Sequence, residues 1–213
     1  MLLRSFTEPK RKFLSKTLED SFFESRAAVD VEIGCGVGWH SICYAKNYPD
    51  RKLIAIEHGA SRFERFERRY VRSGSPKNLV PVHANAISWI YENLPENSIE
   101  NIFFLYPNPY PKQSQRNKRW HAMPFMGKLL KKLKPSGHLH LATNSSEYAR
   151  EAEKYYLIHW GLSLLSKSTI NKQREPDFSP RTHFEKKFFE RGENCFDLVF
   201  QKKGLEKSPL LPG

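Results

Sequence analysis

The chain of 213 residues is long enough for one domain with appendages, and its 39% hydrophobic content supports a buried core and excludes a wholly disordered chain. No run approaches the roughly 18 apolar residues of a membrane span, the opening residues lack the apolar stretch of a signal peptide, and Cys35, Cys43 and Cys195 form no C-x-x-C pair, so a soluble cytoplasmic protein without zinc ribbon or disulfide scaffold is expected. Thirty-five Lys+Arg against 23 Asp+Glu leave a net charge of +12, which favours a polyanionic partner without identifying one.

Residues 1–28 are charged and weakly periodic and read as an N-terminal extension, residues 29–203 as the domain, and 204–213, with two prolines and little to bury, as a tail. The first strand is expected at 29–33. It runs into Gly34-Cys35-Gly36-Val37-Gly38, where glycines at alternate positions permit a tight turn and let a ligand lie against the backbone before a helix at 39–47. The spacing is not the G-x-G-x-x-G of dinucleotide folds, and the Lys-Ser/Thr of a P-loop is absent, so a nucleoside cofactor without pyrophosphate fits better. A second strand at 52–56 ends in Glu57, where an acid can take both hydroxyls of a ribose. The alternative for this pair is a glycine turn beside a surface glutamate.

A helix at 60–73 follows, with Arg62, Arg65, Arg68, Arg69 and Arg72 diluted by Glu64 and Glu67. Then come a strand at 79–83, a helix at 86–92, a turn at 95–98 and a strand at 101–106. Between 112 and 134 lie eight Lys+Arg and no acid, interleaved with Trp120, His121 and Phe125 and including a helix at 122–133. Such stretches hold phosphates and offer rings to splayed bases. They also occur as solvated helix faces with the aromatics in the core. A strand at 137–142 and a helix at 146–160 complete the alternation. From 162 to 199 it weakens, and antiparallel strands around a loop at 174–180 are expected, with a strand at 196–201. Strand alternating with helix predicts an α/β domain whose mostly parallel sheet is covered on both faces. His138 and His140 share a strand face without a third ligand at metal spacing, so no metal is expected, and Cys35 reads as a packing residue rather than a nucleophile.

With its glycine loop and Glu57, the chain resembles class I S-adenosylmethionine methyltransferases. Phe103 to Lys112, Asn117-Lys118-Arg119, Leu141-Ala142-Thr143-Asn144 and Thr182-His183-Phe184-Glu185 resemble, in order and rough spacing, the tRNA (guanine-N7-)-methyltransferase family. The resemblance implies a seven-stranded sheet with its last strand antiparallel, S-adenosylmethionine at the carboxyl ends of the strands, and tRNA as substrate. It also implies roles. Glu32, Gly34, Gly36 and Gly38 would line the methionine end of the cofactor, Glu57 would hold the ribose and Asn85 would lie by the adenine. Asn108 would sit at the transfer site with Lys112 close by, while Asn144, Thr182 and Glu185 would approach the target base. Apart from the resemblance, the basic stretch itself makes Arg116, Lys118 and Arg119 the expected RNA contacts.

The chain departs from that family on the substrate side. Asn85, Asn108 and Asn144 stand where aspartates are typical, Tyr110 replaces a tryptophan, the loop before Asn117 is about one residue longer and the N-terminal arm is abbreviated. Methylation of guanine N7 removes no proton, so the site must align an in-line displacement and tolerate positive charge on the ring. Asparagine keeps an acceptor oxygen for that task and loses the charge. Asn108-Pro109-Tyr110 is also similar to the N-P-P-[YFW] motif of enzymes that methylate amino groups. Transfer to another nucleobase or amino group is therefore a second reading, and a catalytically impaired RNA-binding relative a third. The modified nucleotide, the oligomeric state and any partner subunit stay open.

Overall fold

The structure, a computed structural model, describes Phe6, Thr7 and residues 27–204. Seven strands form one sheet in the order β3-β2-β1-β4-β5-β7-β6. They are β1 (Ala28–Ile33), β2 (Arg51–Glu57), β3 (Leu79–His83), β4 (Ile99–Leu105), β5 (Leu133–Thr143), β6 (Ser163–Ile170) and β7 (Cys195–Gln201). The pairs among β1 to β5 are parallel, and β7 runs antiparallel to both neighbours, β5 and β6. The expected α/β class, strand count and antiparallel last strand are all present. Strand order reverses on either side of β1, which opens a crevice at the carboxyl ends of β1 and β4.

Helices cover both faces because the strands carry apolar residues on both. In β2, Leu53 and Ala55 pack with α1 (Trp39–Asn47) and α2 (Ala60–Arg72) through Ile42, Ala45, Phe63 and Phe66. Ile54 and Ile56, pointing the other way, join the larger core with α3 (Ala86–Asn93), α4 (Phe125–Lys132) and α5 (Ser146–Lys154). The sixth helix, α6 (His183–Glu190), lies between β6 and β7. The expected extensions at 1–28 and 204–213 lie largely outside the described residues, but Phe6 packs against Tyr91 and Phe125 with ring centroids at 5.8 and 5.7 Å.

Three elements differ from expectation. Helix α6 stands where only antiparallel strands around a loop were expected, its first turn held by the Thr182 side chain, which accepts from Glu185 N. The helix expected at 146–160 is α-helical only to Lys154 and widens into a π-turn over Tyr155–His159. The strand expected at 137–142 already begins at Leu133, because Pro135, Ser136 (φ +63°) and Gly137 bulge out of β5 instead of ending it: Ile99 pairs with Leu133 and Asn101 with His138.

Charged groups are buried in the middle of this frame. Asp30 in β1 is fully buried and accepts from Arg51 Nη2 (2.6 Å) and Nε (2.7 Å), Tyr44 Oη (2.8 Å) and Asn101 Nδ2 (2.8 Å). His121 is also fully buried, ringed by Tyr148, Tyr155 and Tyr156. Burial, with the Arg119 charge beside it, pulls its pKa down to about 3.

Candidate active site

The glycine turn is pinned to β2 by its own backbone: Gly34 N and Cys35 N donate to Ile56 O at 2.8 and 3.1 Å. Gly36 N donates to Glu57 Oε2 at 3.0 Å, so the turn and the acid form one unit. Gly34, Gly36 and Gly38 all have positive φ, but for two different purposes. A Cβ on Gly34 or Gly36 would meet nothing within 4 Å, because these two face the crevice, whereas one on Gly38 would lie 1.9 Å from the Phe66 ring. Gly38 therefore lets α2 close on the turn. Cys35 is buried beside Glu32 and Glu57, and burial first, then those charges, pushes its thiol well up, as suits a packing residue.

The crevice is a cavity of about 630 Å³, within the range of small-molecule sites. One wall is apolar, from Ile33, Ile56, Ala84 and Ile87, with Glu57 and Asn85 at its rim. Glu57 is only 3% exposed, and its Oε1 accepts from Gly59 N (2.6 Å) and from Arg62 Nη2 and Nε (2.9 and 3.0 Å). The Arg62 side chain, 57% exposed, lies across the oxygen that a ribose would use. Asn85 caps α3: its Oδ1 accepts from Ile87 N at 2.9 Å, which leaves Nδ2 as the group free to meet a base.

The opposite wall comes from the loop after β4 and from α6. Tyr106 and Tyr110 there take φ +55° and +42°, values that non-glycine residues adopt at a cost and that cluster at functional sites. Asn108 Oδ1 accepts from Tyr110 N at 3.1 Å, an Asx turn that turns Nδ2 outward. Tyr106 Oη donates to Glu185 Oε1 at 3.0 Å, and burial followed by that carboxylate pushes the phenol far above its usual range. Phe184, 47% exposed, and Phe188 project rings into the cavity from α6. Asn144, at the end of β5, also lines it, and its Nδ2 donates to Glu193 Oε2 at 2.9 Å.

Of the residues singled out in the sequence, Gly34, Gly36, Glu57, Asn85, Asn108 and Asn144 are brought together around this cavity. The others are not. Glu32 is 2% exposed behind the glycine turn, where Oε2 accepts from Ser41 Oγ (2.5 Å) and binds His40 Nδ1 (3.0 Å). Thr182 caps α6, accepting from Glu185 N at 2.9 Å. Glu185 is fully buried and is taken up by Tyr106 and by Arg181, whose Nη2 lies 2.7 Å from Oε1. Lys112 is exposed on the loop after the cavity.

The basic stretch is thinner than its composition suggests. Arg119 is 2% exposed and bonds Glu151, Glu147, Pro109 O (2.9 Å) and Tyr110 O (3.0 Å), so it braces the site loop from within and is withdrawn from RNA contact. Arg116 lies 3.4 Å from Glu147. Lys118 sits over the Tyr110 ring at 5.9 Å, near the cavity mouth. Phe125 is in the core, and Trp120 packs against it. Among the described residues no three potential metal ligands cluster, and no helix is long and apolar enough to cross a membrane. Tyr106, Phe184, Phe188, Arg62 and Glu193 were not anticipated. Phe184 and Tyr106 carried a signal as aromatics inside the Thr182 to Glu185 and Phe103 to Lys112 motifs, and Arg62 stood out only as one of five arginines on its helix.

The chain is 29% identical over 186 residues to a tRNA (guanine-N(7)-)-methyltransferase of Neisseria meningitidis, covering 87% of this chain and 76% of the relative. It is 28% identical to the enzyme of the same name from Nitrosococcus oceani, covering 85% and 75%. The fold is similar to that of the 16S rRNA methyltransferase KamB (TM-score 0.64, 16% identity, 88% of this chain and 95% of that one). It is also similar to that of a SAM-dependent methyltransferase from Aquifex aeolicus (TM-score 0.57, 14% identity, 85% and 86%). Residues 26–198 match the model of a family described as "Putative methyltransferase". With that match spanning most of the chain, and with a glycine turn and buried acid placed at the strand ends as the fold requires, the chain belongs to this methyltransferase family.

Proposed function

We propose that this protein transfers the methyl group of S-adenosylmethionine to N7 of guanine in tRNA, acting in the cytoplasm, with residues 29–203 as the catalytic domain. The observation that carries the reading is the joining of a nucleoside-shaped wall, with its glycine turn and buried Glu57, to a second wall of amides and aromatic rings in one cavity. The first wall fits the cofactor: open glycines at 34 and 36, apolar side chains for an adenine and a carboxylate for the ribose once Arg62 swings aside. The relatives named for guanine-N7 transfer to tRNA supply the acceptor.

When bound, the cofactor supplies an electrophilic methyl group. The chain's own work is to hold and orient. Guanine N7 offers a lone pair and loses no proton, so no side chain acts as base. Asn108 Nδ2 donates to the base, Asn144 accepts from it and Phe184 covers its face, holding N7 in line while the surrounding dipoles meet the developing positive charge. Methylation of an amino group would instead need Asn108 Oδ1 as the acceptor for an N–H. That oxygen faces Tyr110 N at 3.1 Å, which favours N7. Incubation with isotopically labelled cofactor and unmodified tRNA tests the reading: 7-methylguanosine is expected in the digest, and labelled exocyclic nitrogen or unlabelled RNA would refute it.

The RNA is held on two sides of the cavity. On one side stand Lys112 and Lys118, with Arg116 tied to Glu147. On the other, Trp39 carries Arg69 of α2 at 5.8 Å and Lys186 of α6 at 5.9 Å from its ring, joining both helices into one cationic strip that also presents Arg65, Arg68 and Arg72. If about four phosphates are met, log K falls with log salt at a slope of roughly −3. Reversing the charges of Arg65 and Arg68 should flatten the slope by about 1 per residue. Filter binding across salt checks this, and an unchanged slope would remove α2 from the interface.

A further inference from the structure

We propose that Glu193 is a positioning residue of this site, which locks the Asn144 amide so that Oδ1 is its acceptor toward the base. The inference deepens the guanine-N7 reading and rests on it for the identity of that base. Asn144 Nδ2 donates to Glu193 Oε2 at 2.9 Å. A carboxylate only accepts, so the amide has one orientation rather than two. With Nδ2 engaged, the oxygen is what the amide offers to a ligand in the cavity that Asn144 lines. On the Watson–Crick edge guanine presents adjacent N1–H and N2–H donors, whereas adenine presents a donor at N6 beside an acceptor at N1. A fixed oxygen placed at the central N1 position therefore accepts from guanine and is repelled by the adenine lone pair, while a freely flipping amide would serve both.

The placement of Glu193 is itself built. Helix α6 ends in a Schellman turn: Gly192 N donates to Phe189 O and Glu193 N to Phe188 O, both at 3.0 Å, with Gly192 at φ +71°. Asn171, 9% exposed, ties the turn from β6's side with Nδ2 donating to Gly192 O (3.0 Å) and Asn194 Oδ1 (2.9 Å). Among the described residues the cation paired with this carboxylate is Arg191, 3.8 Å from Oε1, while Oε2 accepts from Asn144. The same helix places Phe184 and Phe188 in the cavity lining, so one element carries both the rings and the turn that presents Glu193 to Asn144. A charge behind a polarised amide also favours the cationic ring that N7 transfer creates.

Four variants, Glu193→Ala, Glu193→Gln, Asn144→Ala and the double alanine, test this by single-turnover methylation of tRNA, cofactor calorimetry and the side-chain amide signals of Asn144 in ¹⁵N NMR. Glu193→Ala is expected to slow transfer about tenfold with cofactor affinity unchanged and to expose the Asn144 amide protons to exchange. Glu193→Gln, whose Oε1 accepts the same N–H, should return the rate to within about threefold and restore the protection. The double variant should be no slower than Asn144→Ala. A wild-type rate in Glu193→Ala, or losses that multiply in the double variant, would overturn the proposal. If the wild type forms no 7-methylguanosine, the functional reading fails and the amide signals alone decide: unchanged protection in Glu193→Ala refutes the positioning role, and lost protection regained in Glu193→Gln upholds it. Should the alanine variant fail to fold, the glutamine variant decides by the same signals.

Discussion

Glu57→Ala is expected to weaken cofactor binding by about two orders of magnitude or more. The carboxylate is 3% exposed, and each hydrogen bond from a ribose hydroxyl to such a charged acceptor is worth roughly 1.5–3 kcal/mol. Two bonds give roughly 3–6 kcal/mol, from which the cost of moving Arg62 aside is subtracted. That cost is small, because the guanidinium is 57% exposed and such pairs contribute about 0–1 kcal/mol. A net loss of about 3 kcal/mol is a factor of about 150 in the dissociation constant. The substitution also strips Gly36 N and Gly59 N of their acceptor, loosening the turn. Arg62→Ala is the opposite control: with the acid left in place and uncovered, affinity should rise up to about fivefold. Titration calorimetry of both proteins checks the pair, and unchanged binding in Glu57→Ala would move the cofactor elsewhere.

Arg119→Met should cost about 3 kcal/mol of stability and lower the melting temperature by roughly 6–12 °C. The guanidinium is 2% exposed and bonds Glu151 and Glu147 while satisfying the carbonyls of Pro109 and Tyr110. Removing it leaves carboxylates and loop carbonyls without their donor. The estimate sits at the low end for a broken buried pair because Glu147 is 49% exposed and water can reach it. Activity should fall further than stability does, since those carbonyls belong to the loop that carries Asn108. The neighbouring His121 sets an acid limit on the same region. Its folded pKa, about 3, lies below the unfolded value, so its contribution to stability is complete above about pH 6.5 and is lost as pH falls toward 3, by about 1.4 kcal/mol per unit. Denaturant melts against pH read that slope, and a flat response between pH 6 and 4 in the wild type would contradict it.

How much was legible in the sequence follows from how local each feature is. The glycine turn and Glu57 could be read because a turn of alternate glycines between strand and helix needs no partner beyond the next strand. Helices and strands were legible for the same reason, with three exceptions: β5 pairs through Pro135-Ser136-Gly137 because β4 offers it a neighbour, α5 widens into a π-turn, and α6 stands where only antiparallel strands were expected. Roles carried by long-range partners were hidden. Arg119 looks like any other cation in a basic run until Glu147 and Glu151, on α5, close around it. Thr182 and Glu185 look like substrate ligands by position, yet the cap of α6, Tyr106 and Arg181 take up their polar atoms. Glu193 is silent in the sequence because its partner is Asn144, on the other side of two helices and a strand along the chain.

Transfer to N7 of guanine has a direct chemical readout, because N7 methylation turns the guanine imidazole ring into a cation that borohydride reduces, after which aniline cleaves the RNA chain at that nucleotide. Unmodified tRNA incubated with the protein and S-adenosylmethionine should acquire a new site of reductive scission at a guanosine, and the same tRNA incubated with the Glu57→Ala protein should not. Methyl label entering the RNA without any new scission would contradict the account and return the amino-group reading to the front.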